Sequence, residues 1–370
     1  MKGHAAIVNS RQRLYPLGCD AWIKNSEKAV KYAVENNLTL LTSVGMSSWE
    51  LVLYLASKYH ARQKVYVKSE SSLSFLKLCE DIEKDFNLDT TLVEWCPVKV
   101  ESSGQKGTDE FRTKRDRLII SEADAIIPVS IRVEGNLKRL IIAVKVQGMD
   151  INKNFECSYD GTSSSCKNDY GAKTIRDDVD GLLSEYLIHW TRAAHKPWPN
   201  ELAYDYYKAV IESTDEYSHS AKQTLIRILS EGKLRASSRH MRAGIRAVSL
   251  SGLEPSQAVR LMKWRARYRE MSFEPYGIAI HKEAARELGV RKVYYGNPEM
   301  YQYLEEDNRP YFQNIGTKGD WMPEKEYRYI GDLNLDSISS ESVIVICRSK
   351  SDTDQLNHFF NGQILCIYDD

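Results

Sequence analysis

Leu38-Thr39-Leu40-Leu41-Thr42-Ser43-Val44-Gly45-Met46-Ser47-Ser48-Trp49 decides how the first half of the chain folds. Leu38 to Val44 reads as a strand and Gly45 as a turn. Ser47 or Ser48 is placed to cap a helix running from Trp49 to Lys58. Upstream, residues 5–9 read as a buried strand. Residues 20–36 read as a helix started by Asp20, with Trp22, Ile23, Val30, Ala33 and Val34 on its apolar face. Downstream, strands are expected at 64–68, 91–95 and 125–131, with helices at 71–84 and from Gly135 to about Val146. Strand and helix alternate throughout, which predicts a parallel sheet covered by helices. Residues 1–150 are therefore expected to be an α/β, Rossmann-like domain.

Composition bounds the rest. A chain of 370 residues suggests two or three domains. Hydrophobic residues at 42% and aromatics at 10% exclude a disordered chain. The formal net charge of +0 announces no nucleic-acid or membrane partner globally, although local charge still can. No apolar run approaches the roughly 20 residues that span a bilayer. Residues Met1 to Ala5 lack the apolar core of a secretion signal. The seven cysteines are odd in number and form no C-x-x-C, so a reducing cytoplasm is the expected location. Cys157 and Cys166 would need further ligands to hold a metal, and no metal is expected.

In a parallel sheet, ligands sit beyond the carboxyl ends of strands, near helix N-termini. That points to Ser10 and Arg11 after the first strand, to Ser43, Gly45 and Met46 after the second, and to Arg132, Gly135 and Asn136 after the strand at 125–131. These residues form the candidate site for a nucleotide-type ligand, against the alternative of ordinary strand-to-helix turns. No Walker motif is present. The order of these loops resembles the Rossmann-like superfamily of DprA/Smf DNA-processing proteins and LOG-type nucleotide hydrolases, over roughly residues 4–148. The LOG-type Pro-Gly-Gly-x-Gly-Thr loop is absent. The resemblance thus implies a sensor that binds a nucleotide-like ligand or nucleic acid. Arg112, Lys114, Arg115 and Arg117 read either as phosphate contacts or as a solvated helix start.

Residues 151–180 are rich in Asn, Asp, Ser, Gly and Lys and read as a polar linker or insertion. Residues 181–370 then read as an α+β effector domain. Strands are expected at 187–192, 247–251, 273–280, 293–295, 343–347 and 364–368. A helix is expected from Ser220 to Glu231, stopped by Gly232, and another from Gln257 to about Met271, capped by Ser256.

Within it, Trp321-Met322-Pro323-Glu324-Lys325-Glu326-Tyr327-Arg328 places Glu324, Glu326 and Arg328 on one face of a strand. Paired carboxylates repel, so one pKa should rise while the arginine lowers the other. A surface ladder of ion pairs is the competing reading. His189-Trp190-Thr191, Leu229-x-x-Gly232-x-Leu234-x-Ala236-Ser237, Val248-Ser249, Tyr276-Gly277-Ile278-Ala279 and Trp321-x-x-Glu324-x-Glu326-Tyr327-Arg328 resemble, in order, the AbiGi-type abortive-infection proteins. More remotely they resemble the ADP-ribosyltransferase fold, over about residues 185–335. The resemblance implies an NAD-dependent, ADP-ribosyltransferase-like enzyme in antiviral defence or toxin action. Its catalytic residues would be Glu326, Glu324, His189 and Tyr276. NAD would be held by His189, Thr191, Ser249, Tyr276 and Arg328. Two alternatives remain: a non-catalytic DNA- or RNA-binding protein, and an NAD glycohydrolase. A basic stretch from Arg227 to Arg269, interleaved with His240, Trp264 and Tyr268, offers Arg239, Arg242, Arg246, Arg265 and Arg267 as nucleic-acid contacts or as a solvated face. A macromolecular acceptor and an oligomer are both open, and no membrane partner is expected.

Overall fold

The computed structural model describes residues 3–161, 170, 175–238, 241–266, 268–315 and 324–368. The chain forms two compact units. The first is Met1–Ser164 with His195–Ser218, and the second is Ser165–Ala194 with His219–Asp370.

The first unit is the expected α/β layer. Its strands are β1 His4–Asn9, β2 Thr39–Ser43, β3 Gln63–Ser69, β4 Val93–Lys99, β5 Ala125–Ser130 and β6 Asp150–Ile151. They form one parallel sheet in the order β4-β3-β2-β1-β5-β6. Its helices are α1 Ala21–Glu35, α2 Ser47–Lys58, α3 Ser72–Asp85, α4 Gly104–Glu122 and α5 Asn136–Val146. Ala5 to Val8 are fully buried, as a strand covered by helices on both faces requires. The strand order reverses between β1 and β5, which opens the crevice where such sheets take ligands.

Local chemistry differs from expectation at two helix starts. Asp20 sits at the start of α1 but makes no side-chain cap. Its carboxylate pairs with Arg13 and accepts the Leu17 N–H at 3.1 Å. Neither Ser47 nor Ser48 caps α2. Met46 occupies that position, and the Glu50 carboxylate accepts the Gly45 N–H at 2.8 Å. An acid in a helix's first turn is favoured there by the helix dipole.

Two boundaries also move. Residues 151–180 read as a linker in the sequence, yet Asp150–Ile151 adds β6 beside β5, and the Cys157 N–H donates to the Val129 carbonyl at 2.7 Å. The outer edge of β5 has backbone groups to satisfy, and this segment satisfies them. Residues 195–218 belong to the first unit, not to a continuous 181–370 domain. The reason is aromatic. The helix Ala203–Glu212 buries Tyr206, Tyr207 and Val210. Tyr204 packs on Tyr54 with ring centroids 5.0 Å apart, and Tyr207 on Phe86 at 6.0 Å.

The second unit is α+β. Its main sheet has seven strands: β7 Tyr186–Trp190, β8 Ala247–Ser251, β9 Gly277–His281, β10 Arg291–Lys292, β11 Glu326–Ile330, β12 Val343–Cys347 and β13 Gln363–Cys366. The order is β10-β11-β8-β7-β9-β12-β13, antiparallel except for the parallel pair β12–β13. One face packs Leu187, Val248, Leu250, Ile278, Ile280 and Val345 with the helix Ala221–Glu231. The other packs Ile188, Trp190, Ala279, Ile344 and Ile346 with Val179, Leu183, Ala258 and Met262.

The helix expected from Gln257 to Met271 is only Pro255–Ala258, without a Ser256 cap. Proline at the first helical position starts it early. Trp264–Arg265 then pairs antiparallel with Glu270–Met271 as a short hairpin. Cross-strand pairing and the burial of Glu270 and Met271 override helix propensity here.

Candidate functional site

The cluster that best suits chemistry lies where β7, β8 and β11 meet. Glu326 is opposite Ser251 and Arg328 opposite Ser249 in the β11–β8 ladder. The period-two alternation then puts Glu326, Arg328, Ser249 and Ser251 on one face. Glu326 Oε1 accepts the Ser249 hydroxyl at 2.7 Å and Arg328 Nε at 2.9 Å, and Oε2 accepts Arg328 Nη2 at 3.1 Å. Three donors among the described residues leave the carboxylate about one open lone-pair site. Arg328 is 3% exposed, and its remaining N–H groups reach the carbonyls of Pro310 and Phe312 and the side chain of Gln313. Its guanidinium therefore orients Glu326 and has nothing left for a pyrophosphate.

β7 and β8 register at Ile188 opposite Ser251 alone. Next to that pair, His189 Nδ1 lies 2.8 Å from the Ser249 carbonyl. A carbonyl only accepts, so Nδ1 carries the proton and Nε2 is the acceptor. Burial pushes the imidazole below its ordinary pKa. The Ser249 carbonyl opposes this and the nearby Arg192 charge adds to it. Burial thus favours the neutral imidazole. Ser249 links the two groups, through its carbonyl to His189 and through its hydroxyl to Glu326.

Glu324 stands just before β11, not within it, because Lys325 adopts φ +44° and breaks the strand. The expected single row of three therefore becomes a pair plus a neighbour. The Glu324 carboxylate turns to Arg265, with Nη2 to Oε1 at 2.6 Å. Burial pushes its pKa up. Arg265 opposes this, and the charge of Glu326 reinforces it. The rise of one carboxylate matches the sequence expectation, with burial as the leading cause.

Tyr276 and Thr191 do not join this cluster. Tyr276 is buried in the core and donates its hydroxyl to Asp352 at 3.1 Å. Thr191 is 2% exposed, and its hydroxyl is shared between the carbonyls of Ala221 and Tyr276, at 2.8 and 3.1 Å. The resemblance implies that both hold the cofactor; in the structure their hydroxyls are hydrogen-bonded within the interior. Two residues join that sequence reasoning missed. Arg192 follows His189 by three positions and pairs with the buried Glu270 at 3.3 Å. The Tyr295 hydroxyl accepts the Glu326 N–H at 3.3 Å, and burial pushes its pKa up to about 12. Tyr295 lies 31 residues from Glu326, so no local signal announces it.

In the first unit, the loops after β1 and β5 meet at the reversal of strand order. Ser10 Oγ accepts the Arg132 N–H at 2.9 Å, the Ser10 N–H donates to Ser130, and Gln12 Nε2 donates to the Ser10 carbonyl at 3.0 Å. Arg132 and Asn136 are exposed, and Gly135 precedes the first turn of α5. The Arg11 carbonyl accepts the Tyr159 hydroxyl at 2.9 Å. The loop after β2 is closed by the chain itself. Ser43 donates to the Tyr66 carbonyl at 2.7 Å, and the Gly45 N–H is taken by Glu50, whose other oxygen accepts the Tyr207 hydroxyl at 2.7 Å. A carboxylate at that turn repels a phosphate, so Ser43, Gly45 and Met46 do not form the expected cradle. Arg115 is 1% exposed. It pairs with Asp116, donates to the Val44 carbonyl and lies over Trp49 and Phe111, so it stiffens the layer and is no phosphate contact.

The described arginines of the basic stretch are largely spent internally. Arg242 donates to Asn314 at 2.8 Å and lies over Tyr301 at 4.7 Å. Arg265 pairs with Glu324. Arg246 reaches the Ala236 carbonyl and Asp332, with 56% of its side chain exposed. Arg239, His240, Arg267, Trp321, Met322, Pro323 and Cys166 lie outside the described residues. Among the described residues, no group of three His, Cys, Asp or Glu is arranged to hold a metal ion, and no helix is long and apolar enough to cross a membrane.

No protein-family model matches this chain, and no curated protein matches it. Among solved structures, it is similar to the X-ray structure of DNA processing protein A (DprA) from Streptococcus pneumoniae, with 13% sequence identity and a TM-score of 0.30, over 44% of this chain and about half, 52%, of that one.

Proposed function

We propose that the second unit is a glycosyl-transfer site of the ADP-ribosyltransferase kind that consumes NAD, in an antiviral-defence or toxin-like effector whose first unit binds a nucleotide-type ligand or nucleic acid. One observation carries the reading: Ser249 joins the two residues, its carbonyl meeting His189 Nδ1 and its hydroxyl donating to Glu326.

The chemistry that this arrangement supports is displacement of nicotinamide from its ribose. The leaving group departs with the bonding electron pair, so positive charge grows on the sugar. A fixed carboxylate in a site of low dielectric stabilises that charge more in the transition state than in the ground state. Glu326 supplies the carboxylate, and its open lone pair accepts a ribose hydroxyl. Arg328 and Ser249 hold it oriented. His189 Nε2 accepts a second ribose hydroxyl. Glu324 takes the proton of the acceptor.

The test is NAD consumption by the purified chain, with and without DNA, RNA and protein acceptors, following nicotinamide release and transfer of label. Glu326→Gln is expected to lower kcat by about 10²–10³-fold, the scale of losing one group that stabilises transition-state charge. Equal turnover by Glu326→Gln and wild type overturns the reading. Nicotinamide release without label transfer makes the enzyme a glycohydrolase. Salt-sensitive DNA or RNA binding with no NAD loss makes the chain a binding protein.

A further inference from the structure

Glu324 is held from two sides. Its main-chain carbonyl accepts the Ser251 hydroxyl at 2.9 Å, which ties its backbone to β8. Its carboxylate is held by Arg265, on the hairpin of Trp264–Arg265 and Glu270–Met271, with about a quarter of each side chain exposed (25% and 23%). The facing strand of that hairpin is also anchored, because Glu270, directly opposite Arg265, is 2% exposed and pairs with Arg192. Among the described residues, the charged and titratable groups facing Glu324 are Arg265, Glu326, Arg192 and Tyr295. The hairpin thus contributes a cation in direct contact with this carboxylate, while Glu326 has its own arginine in Arg328.

We propose that Arg265 is a positioning residue that holds and directs the Glu324 carboxylate, so that the hairpin sets the proton-accepting end of the site. This rests on the reaction proposed above. In that step the acceptor X–H forms its bond to the anomeric carbon of the ribose as the bond to nicotinamide breaks. The leaving nicotinamide keeps the electron pair, and the X–H proton passes to the Glu324 carboxylate. Charge and atoms balance as NAD⁺ plus X–H giving ADP-ribosyl-X, nicotinamide and H⁺.

The sign of the pH effect follows. Burial raises the Glu324 pKa and Arg265 restrains the rise. Only the carboxylate form accepts a proton, so activity is lost as pH falls through that pKa. Removing Arg265 raises the pKa further and moves the acidic limb to higher pH.

The experiment has two readouts on the full chain. The first is the titration of the Glu324 carboxyl carbon by NMR in ¹³C-glutamate-labelled wild type and Arg265→Gln, assigned through Glu324→Gln. The midpoint is expected to rise by about one pH unit or more, the usual effect of an adjacent arginine. The second is kcat and KM against pH for wild type, Arg265→Gln, Arg265→Lys and Glu324→Gln. Arg265→Gln is expected to lose about tenfold in kcat on the acidic limb for each pH unit by which the limb moves, with KM nearly unchanged and the rate recovering at higher pH. Arg265→Lys is expected to bring the midpoint part of the way back, and Glu324→Gln to lose the limb. An unmoved titration, or a loss in Arg265→Gln that is the same at every pH, overturns the proposal. A moved titration in a protein that never releases nicotinamide overturns the reaction and, with it, the base role. Nicotinamide release with an unmoved titration overturns the role of Arg265 alone.

Discussion

Arg328 meets an acceptor in each direction of its guanidinium fork: both oxygens of Glu326, the carbonyls of Pro310 and Phe312, and Gln313 Oε1 at 2.7 Å. Five donors meeting five acceptors is the condition under which a charge can stay 3% exposed. Arg328→Met is therefore expected to destabilise the fold by about 3–5 kcal/mol in chemical denaturation, because it leaves Glu326 as an unpaired, largely buried charge. Arg328→Lys is expected to fall between, since an ammonium has only three donors and no planar fork. The pairing of Glu326 with Arg328 is legible in the sequence because period-two spacing is a local rule. The fate of Glu324 is not, since nothing in the letters Glu-Lys-Glu announces a positive φ at Lys325. Thr191 and Tyr276 mislead for a related reason. Their polar groups are satisfied by Ala221 and by Asp352, residues far away in sequence.

Elements whose limits are written locally form as the sequence indicates. The helix Ala221–Glu231 starts where the Ser220 hydroxyl accepts the Gln223 N–H at 3.1 Å and stops at Gly232, with φ +59°. Between them Leu225, Ile226 and Leu229 are buried along one stripe. A Cβ on Gly232 would lie 3.2 Å from the Asp336 carboxylate, and the left-handed backbone already disfavours it. Gly232→Ala is therefore expected to cost about 1–2 kcal/mol by thermal or urea unfolding. The 257–271 segment shows the opposite case. Its periodicity suits a helix, yet a pairing between Trp264–Arg265 and Glu270–Met271 decides its shape. The parallel layer is legible from alternation alone. β6 escapes notice because two residues, Asp150–Ile151, carry no period.

At the scale of the whole chain, the first unit is discontinuous. It is made from Met1–Ser164 and His195–Ser218, and the second from Ser165–Ala194 and His219–Asp370. A fragment that ends at residue 164 is expected to bind an apolar dye and to melt without a sharp transition, since it lacks the partners of Tyr54 and Phe86. The same fragment joined to 195–218 by a short Gly/Ser bridge is expected to regain a cooperative melt, followed by near-ultraviolet circular dichroism. The interleaving also orders events at the ribosome. The chain emerges at about 5–20 residues per second. When residue 164 appears, the sheet can form but its aromatic cover is still unmade. Residues 165–194, with His189 among them, come out next and must wait for β8 and β11 before their own sheet can close. The nascent chain therefore carries two unfinished surfaces at once. A chaperone that binds aromatic segments would have its longest window on this protein between the synthesis of residue 164 and that of residue 218.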